Sequence, residues 1–263
     1  MKKCLAIVLA FILTMGIAGT AFCADKQELS LKDQVQKLSD VHRIQNVMGT
    51  MMYMFEAGKY EDMLENFAEK TPGVTVEIAN WGVFEGREGA RKMIVDAWKQ
   101  FEKNNAQEMK KAFPKINNDR AGLLDLNALA CPVIEVAGDG KTAKGLWLAP
   151  GLQTQFNPGL NKPEGNWAWL KFAVDFVKEN GKWKIWHYHL CPMFRTAYDK
   201  SWVDSSIDRE QALASGNTPP PPSNGPQPDK PTSSYHAYSV TEAPAYDPQP
   251  PVPYYTFRET FSY

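Results

Sequence analysis

The stretch over residues 167–191 constrains the fold most, because it holds two strand-length segments joined by a tight turn. In Trp167–Val177 the odd positions begin Trp, Trp, Lys and alternate with Ala, Leu and Phe, which is the period of a β-strand. Glu179-Asn180-Gly181 then provides a hairpin turn into Trp183–Cys191. These residues predict a long antiparallel hairpin near the end of the folded domain.

A second pair of strands is predicted just upstream. Val133–Val136 reaches the turn residues Gly138-Asp139-Gly140, and Thr142–Leu148 follows. A Gly-, Pro- and Asn-rich loop is expected over 150–165. Together with the downstream hairpin, the pattern gives four antiparallel strands in succession.

The N-terminal half is predicted to be mainly helical. Apolar residues recur at three- and four-residue steps from Leu31 to Met51, and the helix is expected to stop at Gly58. Val74–Ile78 alternates as a strand, Trp81–Glu85 forms its hairpin partner, and Gly86–Phe101 is helical again. Helices first and strands later predict an α+β fold, with helices packed on one curved, mainly antiparallel sheet.

The first residues have the layout of a secretory leader. Lys2 and Lys3 precede an apolar run over Leu5–Ile17, and Ala21 and Cys23 supply small residues before a polar stretch. Residues 1–23 are therefore expected to be a signal peptide, and the mature protein an exported one, periplasmic or extracellular. The apolar run is too short for a comfortable membrane span, and no membrane association is expected after its removal.

The overall charge and the cysteines exclude several functions. A formal net charge of −1 leaves no surplus of Lys and Arg to neutralise phosphates, so nucleic acid is not an expected partner. After leader removal the cysteines are Cys131 and Cys191, which could form a disulfide or be two unpaired thiols. Neither lies in a CxxC motif and the histidines lack zinc-site spacing, so no metal and no other cofactor is expected.

The composition changes after the predicted domain, which spans residues 28–206. Residues 217–231 (NTPPPPSNGPQPDKP) predict an extended, proline-rich linker without a core. Residues 232–263 carry eight aromatic side chains, which disordered tails usually lack. This C-terminal arm is expected to dock on a folded domain, either its own or that of a second copy in a homo-oligomer.

Several motifs in the predicted domain carry a family resemblance. Gly58-Lys59-Tyr60-x-x-Met63 follows the first helix, Trp81–Glu88 (WGVFEGRE) precedes a helix, Pro132–Asp139 (PVIEVAGD) lies on a strand, and Trp183-Lys184-Ile185 lies on the last strand. In these motifs the chain resembles the SnoaL-like branch of the nuclear-transport-factor-2-like superfamily, over about 31–195. The resemblance implies a cone-shaped α+β fold whose curved sheet and helices enclose a pocket.

The resemblance also places particular residues in that pocket. Met51 and Glu56 fall where dehydratases of this type carry a Tyr and an Asp, and Asn127 falls where they carry a His. Of this acid–base set only Glu56 keeps its chemistry. The expected pocket residues are Met51, Tyr53 and Asn127, with Trp147 and Trp169, whose positions on neighbouring strands suit either stacking on a flat ligand or packing in the core.

The last strand offers a replacement acid–base pair. In Trp183–Leu190, strict alternation places His187 and His189 on one face with Trp183 and Ile185, and Tyr188 on the other. Two histidines on one face could donate and accept protons, and loop or tail contacts could equally satisfy them.

Two functions of different classes follow from the sequence. The first is an exported domain that binds a small hydrophobic or cyclic molecule without catalysis and self-associates through its arm. The alternative is an acid–base lyase or isomerase, of dehydratase or cyclase type, that acts through His187, His189 and Glu56. The two are distinguished by whether the histidines line a cavity alongside Glu56.

Overall fold

The computed structural model describes residues 30–215 and 225–263, which fall in two units, residues 1–36 and residues 37–263. The predicted leader over 1–23 lies outside the described residues, as does the linker from 217 to 224. In the first unit Ser30 caps a helix, because its Oγ accepts a hydrogen bond from the amide of Asp33 at 3.2 Å. Within the described ranges, no helix is long and apolar enough to cross a membrane.

Four of the described α-helices come early in the chain, as expected, whereas a further helix follows the strands. Helix α1 spans Leu31–Glu56 and α2 spans Tyr60–Leu64. Helices α3 (Gly86–Arg91) and α4 (Ala97–Ala112) are joined by a π-helical turn, Lys92–Asp96. A last helix, α5 (Trp202–Ala214), begins at Ser201, whose Oγ accepts from the amide of Asp204 at 3.0 Å.

Seven strands form one sheet in the second unit. They are β1 (Thr75–Ile78), β2 (Val83–Glu85), β3 (Leu124–Asn127), β4 (Ala130–Val136), β5 (Thr142–Asn157), β6 (Lys162–Glu179) and β7 (Lys182–Ala197). The order is β2-β1-β7-β6-β5-β3, and β4 also pairs with β5. Only the β1–β7 pair among these strands is parallel. The predicted α+β class, with helices on a mainly antiparallel sheet, is therefore confirmed.

The sheet separates two environments. Its helix face carries Phe172, Val174 and Phe176 of β6, which join a buried core with Ile44 and Met48 of α1. Its arm face carries alternate residues of the same strands and is covered in part by the C-terminal segment. The buried Lys144–Asp175 pair, His187 and His189 lie on the arm face, and the apolar core lies on the helix face.

The prediction of a loop over 150–165 is wrong, because most of these residues belong to strands. Strand β5 continues through Pro150 to Asn157, and β6 already begins at Lys162. Pro150 is tolerated because its partners on that side change from β4 to β3 at this point, with Leu148 opposite Ala130 and Gly151 opposite Asn127. A Pro–Gly pair therefore marks a junction between two partner strands and does not end the strand.

The predicted face of the two histidines is also wrong, because a β-bulge interrupts the alternation. Ile185 is opposite Phe176 and His187 is opposite Asp175, so Trp186 is an extra residue on β7. One extra residue exchanges the two faces for the residues that follow it, up to a second bulge at Met193, between the partners of Leu170 and Trp169. Ile185 and Tyr188 consequently lie in the core, whereas His187 lies on the arm face.

Residues 225–263 lie along the edge and the arm face of the chain's own sheet. Lys230 forms an antiparallel bridge with Val83 at the free edge of β2. Farther on, the amide of Tyr238 donates to the carbonyl of Met193 at 2.7 Å. The amide of Gly138, in the β4–β5 turn, donates to the carbonyl of Tyr254 at 2.9 Å. The arm thus crosses from one end of the sheet to the other.

The two cysteines expected in the mature chain are unpaired. Cys131 is exposed on β4 and Cys191 is buried on β7, and β5 and β6 separate these strands. Burial raises the pKa of the Cys191 thiol to about 12, so this thiol is protonated at neutral pH.

Candidate functional site

A cavity of about 1010 Å³ lies on the helix face of the sheet. The β1–β2 hairpin, the π-helical turn and α4 surround it, and β6 and β7 contribute Leu170, Leu190 and Pro192. Its aromatic wall consists of Trp81, Phe84, Trp98 and Phe101. Rings supply large apolar contact area, so the cavity is suited to a largely apolar molecule.

The π-helical turn shapes this wall. In Lys92–Asp96 the backbone makes one wide turn between two α-helices, and such turns are frequent at functional sites. Met93 of this turn lines the cavity and is almost fully buried. Lys92 and Asp96 line it as well and bring one positive and one negative charge.

Three polar side chains from three strands meet at one end of the cavity. Asp125 on β3 is opposite Gln153 on β5, so their side chains share a face, and both line the cavity with Arg195 of β7. The Nε of Arg195 donates to Oε1 of Gln153 at 2.6 Å. The Oδ1 atom of Asp125 is buried and has no hydrogen-bond partner among the described residues. A buried acceptor without a partner can accept a hydrogen bond from a bound ligand, or share a proton with it.

The environment of Asp125 perturbs its titration. Burial raises the pKa of this carboxyl from its usual value of 3.8 to about 6, although nearby Arg195 counteracts part of the rise. The carboxyl therefore changes its charge within the physiological range. Perturbed carboxyls in cavities are typical of binding and catalytic sites.

The proline-rich segment forms one wall of the cavity. Gly225, Pro226, Gln227, Pro228, Pro231 and Thr232 all contribute to its lining. The amide of Val83 donates to the carbonyl of Lys230 at 2.8 Å, and the amide of Gly82 donates to Oγ1 of Thr232 at 3.0 Å. Gly82 has a φ of +96°, and a side chain there would collide with Pro228.

The first predicted catalytic residue, His187, lies on the other side of the sheet from this cavity. Its Nδ1 is 2.8 Å from Oδ2 of Asp175 and 2.9 Å from Oγ of Ser262 in the arm. Trp186 stacks on the imidazole with ring centroids 4.3 Å apart. Nδ1 of His187 thus has polar partners in Asp175 and the arm, and Trp186 covers the face of the ring.

His189 is buried on the same arm face. Its Nε2 lies 3.9 Å from Oε1 of Glu77, which is too long for a hydrogen bond. Glu77 instead accepts from the amide and hydroxyl of Ser233, at 2.6 and 2.8 Å. Burial lowers the pKa of His189, so this imidazole is neutral at neutral pH.

The other predicted site residues are scattered. Met51 and Trp147 are buried in the core, Tyr53 is 75% exposed, and Glu56 is exposed at the end of α1. None of the predicted catalytic or pocket residues is among the described residues that line the cavity: His187, His189, Glu56, Met51, Tyr53, Asn127, Trp147 and Trp169. Their functional roles stay predictions, and the structure does not bring them together.

Asp125 and Arg195 were missed by the sequence analysis. In Leu124-Asp125-Leu126-Asn127 the polar residues alternate with leucines as on a strand with one wet face. Asp125 faces the cavity, whereas the two leucines are 37% exposed, so the usual assignment of leucines to the buried face is wrong here. A polar set that faces inward can be recognised only once the opposing elements are placed.

No metal centre is found in the parts of the chain that the structure describes, where no three or more His, Cys, Asp or Glu side chains are grouped suitably. Asp125 and Arg195 are an acid and a base of opposite charge, a set that suits an oxygen-bearing organic group better than a cation. That the whole chain binds no metal therefore stays a prediction.

Comparison with known proteins gives one family match and several structural likenesses. A family model described as a SnoaL-like domain matches residues 36–189. No curated protein matches the chain.

Three solved structures illustrate the likenesses. A candidate scytalone dehydratase from Novosphingobium aromaticivorans shares 13% identity, with 62% of this chain and 91% of that chain covered and a TM-score of 0.45. A type 2 hexachlorocyclohexane dehydrochlorinase shares 12%, with 64% and 95% covered and a TM-score of 0.46. A candidate dehydratase of the NTF2-like family from Streptomyces avermitilis shares 14%, with 59% and 97% covered and a TM-score of 0.44. All three scores are below 0.5, so no activity is carried over from these proteins.

Proposed function

The chain belongs to the SnoaL-like domain family, and from this premise we propose that its cavity binds a small, largely apolar molecule that contains a ring. The observation that carries the proposal is the aromatic wall around a cavity of about 1010 Å³ on the helix face. Ligand cavities for small molecules are typically about 300–1,000 Å³, with mainly apolar walls and a few placed polar groups. In this cavity Asp125, Gln153 and Arg195 are the placed polar groups.

Ligand binding is favoured over catalysis by His187, His189 and Glu56. The two histidines lie on the arm face, while Glu56 lies at the end of α1. A general acid and a general base must both reach the reacting molecule within hydrogen-bond distance. Residues on different sides of a sheet do not meet this condition, so the alternative of an acid–base lyase through these three residues has less support.

A cavity-filling substitution tests the proposal. Ala97, at the start of α4, lines the cavity and is half-buried, so Ala97→Phe puts a ring into the space that a ligand would occupy. With the neutral fluorescent probe N-phenyl-1-naphthylamine, we expect the dissociation constant to rise by about tenfold or more, which corresponds to roughly 1.4 kcal/mol. The measurement is a fluorescence titration of both proteins.

A matched substitution controls for general effects of an added ring. Lys103 lies on the same helix, is exposed and does not line the cavity, so Lys103→Phe should leave the dissociation constant within about twofold. Circular dichroism checks that Ala97→Phe is folded. Equal affinities in the wild type, Ala97→Phe and Lys103→Phe would place the probe elsewhere and contradict the proposal.

A further inference from the structure

We infer that the polar end of the cavity, formed by Asp125, Gln153 and Arg195, binds the carboxylate of a ring-bearing carboxylic acid together with one proton. The inference rests on the proposed function and specifies its ligand class. It follows from an arginine without a carboxylate partner among the described residues, near a carboxyl whose Oδ1 lacks a hydrogen-bond partner there. Three observations carry it: the free end of Arg195, the space around it, and the orphaned oxygen of Asp125.

Arg195 has donors to spare. Its Nε is used by Gln153, and no carboxylate of the described residues lies within salt-bridge distance of the guanidinium. The planar end of an arginine side chain presents two parallel N–H groups that match a carboxylate. Arg195 is thus held at one nitrogen and left open toward the cavity.

The neighbouring strands leave room above Arg195. Arg195 is opposite Ala168 on β6, and Ala168 is opposite Gly151 on β5, so its cross-strand neighbours on the helix face have almost no side chain. Ala168 leaves space for a planar group directly beside Arg195, whereas the side chain of Asn127 packs over Gly151. Leu170, Leu190 and Pro192 continue the same surface and would contact the ring of the acid.

Asp125 makes the site sensitive to protons. A bound carboxylate next to an ionised Asp125 is repelled, whereas a protonated Asp125 can donate a hydrogen bond to it. Charged groups of several surrounding elements act here: Arg195 on β7, Glu164 on β6, Arg120 before β3, and Lys92 and Asp96 of the π-helical turn. The positive side chains favour the anion, and one proton between two carboxyls removes the remaining repulsion.

The sign of the pH dependence follows from this coupling. Asp125 has a raised pKa of about 6 in the folded protein, so it is protonated below this pH and ionised above it. Aryl carboxylic acids ionise near the pKa of a glutamate side chain, roughly 4.3, and stay charged between pH 5.5 and 8. Affinity for the acid should therefore fall as the pH rises from 5.5 to 8.

The experiment compares three probes on the full chain by calorimetry: 2-naphthoate, its uncharged methyl ester, and 2-naphthylmethylammonium. We expect naphthoate to bind at pH 5.5 at least about tenfold more tightly than the ester, and to lose about tenfold or more by pH 8. Arg195→Gln should remove the preference for the acid over the ester. Asp125→Asn should remove the pH dependence.

A matched variant and the remaining outcomes separate this inference from the proposed function. Arg91 pairs with Glu61 at 2.7 Å outside the cavity, so Arg91→Gln should bind all probes like the wild type. Binding of the ester with no preference for naphthoate, or tighter binding of the ammonium probe, would overturn the inference and leave the proposed function standing. Failure of all three probes and of N-phenyl-1-naphthylamine would overturn both.

Discussion

Replacing Asp175 with alanine should lower the free energy of unfolding by about 3–5 kcal/mol, the usual cost of leaving a buried charge without its partner. Asp175 and Lys144 are fully buried, and Lys144 Nζ lies 2.5 Å from Oδ1 of Asp175. The other oxygen of Asp175 accepts from the amide of Tyr263 at 2.9 Å and contacts His187. The variant leaves the Lys144 ammonium buried with only the Phe261 carbonyl and aromatic rings around it.

An exposed ion pair provides the matched control. Asp119 pairs with Lys110 at 2.5 Å, but its side chain is 72% exposed, so Asp119→Ala should cost less than about 1 kcal/mol. Urea unfolding at pH 7 measures both variants. A loss below about 1 kcal/mol for Asp175→Ala would mean that the Lys144–Asp175 pair does not hold the arm face together.

Truncation after Ser215 should lower the melting temperature by about 6–12 °C, because it removes the cover of the same ion pair. Three rings of the arm surround Lys144 Nζ, with centroids 5.0 Å away for Phe257, 4.5 Å for Phe261 and 4.3 Å for Tyr263. Exposing this cluster and its apolar surroundings should cost about 3 kcal/mol or more. For a domain of this size each kcal/mol corresponds to roughly 2–4 °C.

Two tyrosines of the arm give a comparison within the full-length chain. Tyr254 is half-buried with its hydroxyl 3.3 Å from Oγ1 of Thr142, whereas Tyr246 is 73% exposed. Tyr254→Ala should lower the melting temperature measurably, and Tyr246→Ala should leave it unchanged. Light scattering of the truncated protein also tests the predicted role of the arm in self-association. An unchanged melting temperature and mass would show that the arm stabilises nothing.

The sequence predicted the elements well because their signals are local. The alternation in β6 and β7 and the turn at Asn180-Gly181 place the long hairpin correctly, and Asn180 and Gly181 both have positive φ values. The helix that begins at Gly86 was also expected, although it extends to Ala112 with a π-helical turn inside it. Local helix preference does not report such a turn, which is rare and has no residue signature in Lys92–Asp96.

The site was less predictable because Trp186, an extra residue on β7, exchanges the faces of the residues that follow it. Strict alternation across Trp186 predicted His187 and His189 on the face of Ile185, and the bulge at Trp186 places them on the opposite, arm face. A bulge without glycine leaves no mark in the residue pattern. Asp125 and Arg195 are 70 positions apart in the chain, and the order β3-β5-β6-β7 together with the second bulge of β7 places them at one end of the cavity.

The most direct test of the central claim, that the cavity on the helix face binds a ring-bearing molecule, is the response of the tryptophan indole N–H signals in ¹⁵N NMR spectra during titration with methyl 2-naphthoate. Trp81 and Trp98 line the cavity and should shift until saturation. Trp183 donates to Asp40 and Trp186 donates to the Pro72 carbonyl outside the cavity, so both should stay in place. Single Trp→Phe variants assign the signals. Shifts confined to Trp183 and Trp186, or no shifts at saturating ester, would contradict the account.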